Sequence, residues 1–262
     1  MSITITGLVL LTVGCQGPNH EPSDQSSMVT SSPSSTETAD TASPPPTLNE
    51  LPESPRCDQG ALPSGFTCVN SVEPSIAVEL RYATTSNFTG AVVDGYESET
   101  AAIVLADVAT ALARVQADLK QEGLGLLIFD AYRPTRAVAH FVAWSKNSDT
   151  STKQEFYPNL AKSDLLRLGY IAEHSNHSLG TAVDVTLVIL ASGEPLDMGS
   201  DFDLFDNRSH YQTSGLTSTQ SANRTRLRQA MQAQGFTPYS NEWWHFNHSN
   251  ARTQGAQNFP VR

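Results

Sequence analysis

The sequence predicts an α+β domain behind a non-globular leader. Three observations predict it. Apolar residues recur at helical spacing over 98–121 and again over 222–234. Short β-branched runs at 126–129 and 182–189 break that spacing and read as strands. The first 55 residues show neither pattern beyond one apolar run. With 262 residues, the chain is long enough for one substantial domain and a tail.

Residues 3–14 form that apolar run, which stops at Cys15. It is too short to span a bilayer and fits the core of a signal peptide. Gly14-Cys15 resembles the end of a bacterial lipobox, although no Lys or Arg precedes the run and Thr12 stands where Leu is usual. Residues 1–15 are therefore expected to be a lipoprotein-like signal peptide with Cys15 lipidated; a cleaved secretory signal is the alternative. Residues 16–55 are rich in Ser, Thr and Pro and have no aromatics. They hold six of the 27 acidic residues and none of the 16 basic ones. Such a segment cannot bury enough apolar surface to offset its ordering entropy, so a disordered tether is expected. The net charge is −11 and no basic stripe is present, which argues against a nucleic-acid partner.

The folded domain is expected over 56–262. Cys57 and Cys68 flank a Gly/Pro-containing loop. In an exported protein they would form a disulfide worth roughly 2–3 kcal/mol; two separate thiols are the alternative. Residues 78–82 alternate and read as a strand, followed by a polar loop over 83–90. The first helix is expected from Ser98 to about Gln121, stopped by Gly123. The strand 126–129 delivers Asp130-Ala131-Tyr132-Arg133-Pro134 to a loop, and Pro134 starts a helix over 134–146. Arg133 is either a loop arginine paired with Asp130 or a guanidinium placed where sites collect, at the end of a buried strand. Position alone does not choose between them. A short helix is expected over 163–170. Within the strand 182–189, Ala182, Asp184 and Thr186 share one face and Val183, Val185 and Leu187 the other. The stretch 197–203, ending on Asp203, follows, then an irregular segment holding His210, and then the helix 222–234, closed by Gly235. The last element, 239–246, carries Glu242 and His245. A spacing of three does not put two side chains on one face of a regular strand. A bulge is expected, because an exposed helical turn would not bury both Trp243 and Trp244.

His177, Asp184 and His245 supply two imidazoles and a carboxylate. Three protein ligands leave the fourth position of a tetrahedral Zn²⁺ open for water, the catalytic pattern. Glu242, three residues before His245, is the natural general base for that water. Taken singly, each of these residues is more often a hydrogen-bonded structural one; the weight lies in their conjunction with the surrounding motifs.

Those motifs carry a resemblance. They are Leu80-Arg81-Tyr82-Ala83-Thr84 with Asn87-Phe88-Thr89-Gly90, then Tyr132-Arg133-Pro134, then Ser175-x-His177 running into Gly180-Thr181-Ala182-Val183-Asp184. Met198-Gly199-Ser200-Asp201-Phe202-Asp203, Ser209-His210, Glu242-Trp243-Trp244-His245-Phe246 and Phe259-Pro260-Val261 complete them. In this order, over roughly 70–262, the chain resembles the zinc D,D-peptidases of the M15 group, which are related in fold to the hedgehog signalling domain. Within the group it looks like the D-alanyl-D-alanine dipeptidases of the VanX type.

The resemblance implies an antiparallel sheet carrying one zinc ion on His177, Asp184 and His245, with helices on its back and sides. It implies that Glu242 acts as base and then acid, that Arg133 stabilises the transition state, and that Ser175 and Asp203 lie around the ends of the substrate. That substrate would be the dipeptide D-Ala-D-Ala, cleaved to two D-alanines. Within the same group, a D,D-carboxypeptidase is the alternative. A non-catalytic zinc-containing binding protein is the other, and the intact Glu242 and Arg133 argue against it. The leader, the tether and the cysteine pair depart from familiar members. They lead to the expectation of an exported protein of the bacterial cell envelope, facing the periplasm and held to the membrane by lipid on Cys15.

Overall fold

A five-stranded mixed sheet carries the fold in a computed structural model that describes residues 57–58, 62–249 and 251–262. The expected signal peptide, Cys15 and the tether lie outside the described residues. In chain order the elements begin with β1 (Phe66–Cys68), the single turn α1 (Val69–Val72), β2 (Ala77–Val78), β3 (Ile103–Leu105) and α2 (Ala106–Lys120). Then come β4 (Leu124–Asp130), α3 (Thr135–Lys146), the single turn α4 (Lys153–Phe156) and β5 (Ala182–Ile189). The last are α5 (Ser218–Ala233), β6 (Phe236–Tyr239) and β7 (Glu242–His248). The sheet order is β2-β4-β5-β7-β6, antiparallel except for the β2–β4 edge, and β1 pairs with β3 in a small separate sheet.

The hydrophobic pattern explains the helices. Val108, Leu112, Val115 and Leu119 fall on one face of α2 and are completely buried. At ~1.5–3 kcal/mol for each buried aliphatic side chain, this row alone outweighs the propensity differences along the helix. Helix α2 packs on β4, on β1 and on α5, whose Leu227 and Met231 are also fully buried. Helix α5 begins four residues before the expected 222. Thr217 and Gln220 form a reciprocal capping box there, in which the Thr217 hydroxyl accepts from the Gln220 N–H.

Three expectations are corrected. The strand over 78–82 is only Ala77–Val78, followed by a 3₁₀ turn over Arg81–Ala83. The Leu80 N–H donates to Glu99 rather than to a sheet neighbour, which turns the chain inward and buries Tyr82. The first helix starts at Ala106, not Ser98, because Ile103–Leu105 pair with β1 as a strand. A short apolar run fits either state by periodicity alone. Residues 163–170 form no regular helix; a 3₁₀ turn spans Lys162–Asp164, and the left-handed Gly169 breaks the chain after it. Cys57 and Cys68 are joined by a disulfide with Cα atoms 5.9 Å apart.

Candidate active site

One row across the sheet builds the site. Asp130 on β4, Asp184 on β5 and His245 on β7 are successive cross-strand partners. Asp184 reaches the row by simple alternation, since Val183, Val185 and Leu187 turn to the core. Asp130 could not reach it by alternation, because Ile128 already pairs with Val185 on the opposite face. An extra residue, Phe129, bulges β4 and shifts the register, bringing Asp130 opposite Asp184. The β6–β7 pair carries a second irregularity: Pro238 pairs with Phe246 but Tyr239 pairs with Glu242. This is the expected break in strand regularity, and it brings the Glu242 carboxylate within 3.9 Å of the His245 ring.

His177 comes from outside the row. Ser175 caps a 3₁₀ turn over Asn176–Leu179, its hydroxyl accepting from the His177 N–H at 3.2 Å. Gly180 ends that turn at φ 70°, a conformation that costs a glycine nothing, and β5 follows. The turn is tied to the other loop of the site, since the Arg133 N–H donates to the His177 carbonyl at 3.2 Å.

Three donor atoms converge on one point. His177 Nε2 lies 3.1 Å from His245 Nδ1 and 3.3 Å from Asp184 Oδ1, and His245 Nδ1 lies 3.0 Å from Asp184 Oδ1. The outer nitrogens fix the tautomers. His177 Nδ1 donates to the Ala131 carbonyl at 2.6 Å, and His245 Nε2 faces the Asn247 side-chain oxygen at 3.2 Å. Each ring is thereby held with a lone pair facing the carboxylate, an arrangement that calls for a cation. Ligand atoms about 2.0–2.1 Å from a tetrahedral zinc stand roughly 3.3–3.4 Å apart, so the triangle fits that ion closely.

Around this centre the charges are arranged in layers. Asp130, completely buried, accepts from Tyr96 at 2.6 Å and from Arg133 at 2.9 Å, and lies 3.5 Å from His177 Nδ1. Arg133 also approaches Asp184 at 3.6 Å and lies over the rings of Tyr82 and Phe141. Burial works against the Asp184 charge, yet His177 and His245 hold its carboxyl well below the usual range. Burial raises Glu242 to about 7, with His245 and Arg133 opposing and Asp184 assisting. Asp203 is the only non-glycine residue at positive φ (61°) among the described residues. Its Oδ1 accepts from the Tyr82 hydroxyl at 3.1 Å, while its buried Oδ2 has no hydrogen-bond partner. Burial, then Asp184 and Glu242, push its pKa well above the carboxylate range.

The predicted residues Arg133, Ser175, His177, Asp184, Asp203, Glu242 and His245 all line one cleft of about 260 Å³. His210 stands apart, its Nε2 2.8 Å from the Tyr170 hydroxyl. Tyr96, Tyr239 and Asn247 carry no role in the sequence reading, Tyr82 enters it only within a motif, and Asp130 only as a structural partner of Arg133. Asn247 had a signal, since it stands two residues beyond His245 on the same strand. A larger cavity, about 690 Å³, opens between α3 and residues 173–179 and contains none of the convergent charged groups.

The M15 peptidase profile described as D-ala-D-ala dipeptidase matches residues 63–261, spanning all these site residues. The chain belongs to this family. The D-alanyl-D-alanine dipeptidase of Enterococcus faecium is 40% identical over 183 residues, 70% of this chain and 90% of that protein. The Streptomyces coelicolor dipeptidase is 41% identical over 182 residues, 69% and 90% of the two chains. The Escherichia coli K12 dipeptidase is 34% identical over 173 residues, 66% and 79%. Among solved structures, VanYB in complex with D-alanine-D-alanine is similar at 18% identity and a TM-score of 0.34, covering 60% of this chain and 77% of that one. This member of the family is a zinc metallopeptidase.

Proposed function

We propose that the chain hydrolyses D-Ala-D-Ala to two D-alanines, working from the bacterial cell envelope and held there by lipid on Cys15. The observation that carries the reaction is the small charged cleft, with a carboxylate or guanidinium for each task and a metal triangle at its base. His177, Asp184 and His245 would hold the zinc. Bound there, zinc supplies Lewis acidity, lowering the pKa of a water and polarising a carbonyl.

The rest falls to the chain's own residues. Glu242 takes the proton of the attacking water and returns it to the leaving amine. Its raised pKa suits both directions of transfer near neutral pH. Arg133, fixed by Asp130, donates to the carbonyl oxygen as charge gathers there, and being held in place it needs no reorganisation. The unpartnered Oδ2 of Asp203 suits the dipeptide's ammonium, whose positive charge would favour the ionised carboxyl against burial, and Ser175, which also lines the cleft, is assigned to the carboxylate end. At about 260 Å³ the cleft falls just below the usual small-molecule range of roughly 300–1,000 Å³. With a carboxylate closing the amino side, a longer chain would leave Asp203 buried and unpaired.

The test offers the zinc-loaded protein D-Ala-D-Ala and a muropeptide ending in D-Ala-D-Ala. The expected outcome is release of D-alanine from the dipeptide alone. Release from the muropeptide at a comparable rate would assign a D,D-carboxypeptidase instead.

A further inference from the structure

Arg224 on α5 lies outside the cleft, yet it is buried, with 3% of its surface exposed. A buried guanidinium is costly unless its donors are used. Here they are used on neutral oxygens. Nε donates to the Met198 carbonyl at 2.6 Å, and one terminal nitrogen donates to the His210 carbonyl at 3.0 Å. The other donates to the Arg208 carbonyl at 2.8 Å and to the Ser200 hydroxyl at 3.3 Å. Burial lowers its pKa to about 10 against the pull of Asp197, so it remains charged at neutral pH.

Those four acceptors are the two ends of a single loop. The chain leaves at Met198 and Ser200, passes Asp203 at its tip, and returns through Arg208 to His210. The Ser200 hydroxyl meets the Ser209 hydroxyl at 3.1 Å, and Ser209 donates to the Leu204 carbonyl at 2.6 Å, beside Asp203. The loop thus closes on one rigid fork, and its tip is the residue with the left-handed backbone. A non-glycine residue in that conformation costs about 1–2 kcal/mol, so the surrounding contacts must hold it.

We propose that Arg224 is a positioning residue for substrate binding: by tying both ends of the 198–210 loop it fixes the Asp203 carboxylate in the cleft. The inference rests on the assignment of Asp203 to the dipeptide's ammonium. Lysine in its place would keep the charge but lose the planar fork that reaches several carbonyls together.

The test is a cycle of Arg224→Lys, Asp203→Asn and the double variant in the zinc-loaded full chain, reading KM and kcat for D-Ala-D-Ala and zinc content. Asp203→Asn raises KM if the ammonium assignment is right; an unchanged KM there sinks that assignment and this inference with it. Arg224→Lys is expected to raise KM about tenfold or more, the effect of weakening one hydrogen bond to a charged group. Its kcat should move less and its zinc content not at all. In the double variant KM should stay near that of Asp203→Asn, since both changes spoil one interaction. If Asp203→Asn raises KM while Arg224→Lys does not, or if the two effects multiply, the positioning role is overturned and the ammonium assignment stands. Should Arg224→Lys fail to fold, Ser200→Ala removes one acceptor from the fork. A rise in its KM in the same direction supports the role, and an unchanged KM overturns it.

Discussion

The Glu242 carboxyl is pulled in two directions by the groups around it, and the balance has a measurable sign. Burial raises it to about 7 in the metal-free protein from the usual 4.5, with His245, Asp184 and Arg133 as smaller influences. A carboxyl raised by folding favours the native state when protonated. That stabilisation is complete below about 4.5 and is lost as pH rises through about 7, a loss of about 3 kcal/mol. Glu242→Gln has nothing to ionise. Its metal-free form should therefore gain stability over the wild type as pH goes from 5 to 8, read as the difference in urea midpoint. The same variant should keep its zinc, because the three ligands are untouched, and lose at least ~10²–10⁴ in kcat. A metal-free Glu242→Gln protein with the wild-type pH slope would show that burial does not raise this carboxyl. A zinc-free one would make Glu242 a ligand.

At the scale of the element, local irregularity places the chemistry, and irregularity is what a sequence shows least. The metal triangle was legible through the conjunction of its three residues with the surrounding motifs, and the face of Asp184 because β5 alternates cleanly. The break in β7 was legible because a spacing of three cannot serve one face of a regular strand. The bulge at Phe129 was not, since Leu126-Leu127-Ile128-Phe129 is apolar throughout and carries no alternation to interrupt. The same ambiguity hid β3, which reads equally as the first turn of α2. Gly180 is the element-scale residue most open to test. It sits at φ 70°, and an added Cβ would clash with the edge of the Phe66 ring and come within 3.3 Å of the Leu105 nitrogen. The Leu105 N–H in turn donates to the Gly180 carbonyl at 3.0 Å, locking the end of the His177 turn to β3. Gly180→Ala should cost about 2 kcal/mol or more from backbone strain and displaced packing. Because the shift falls on the turn that carries His177, zinc affinity should fall as well. Thermal unfolding with and without excess zinc separates the two effects. A variant that loses thermal stability but binds zinc as tightly as wild type would show that the turn is held independently of Gly180.

For the whole molecule, the proposed envelope location raises the question of what would hold a chain of net charge −11 at a membrane. Among the described residues no helix is long and apolar enough to cross one. Electrostatics offers no substitute. The chain carries −11 overall, and residues 16–55 hold acids without a single Lys or Arg, so an anionic lipid surface repels that segment. Under the proposal, lipid on Cys15 is then the attachment, forty residues ahead of Arg56. Cys15→Ser should therefore release the protein wholly into the soluble fraction, at low and at high salt alike, with unchanged kcat and KM for D-Ala-D-Ala. Salt-sensitive retention would point to a charged surface as the anchor, and salt-resistant retention to the apolar run at 3–14. Either result would remove Cys15 from the proposal while leaving the hydrolytic site as it stands.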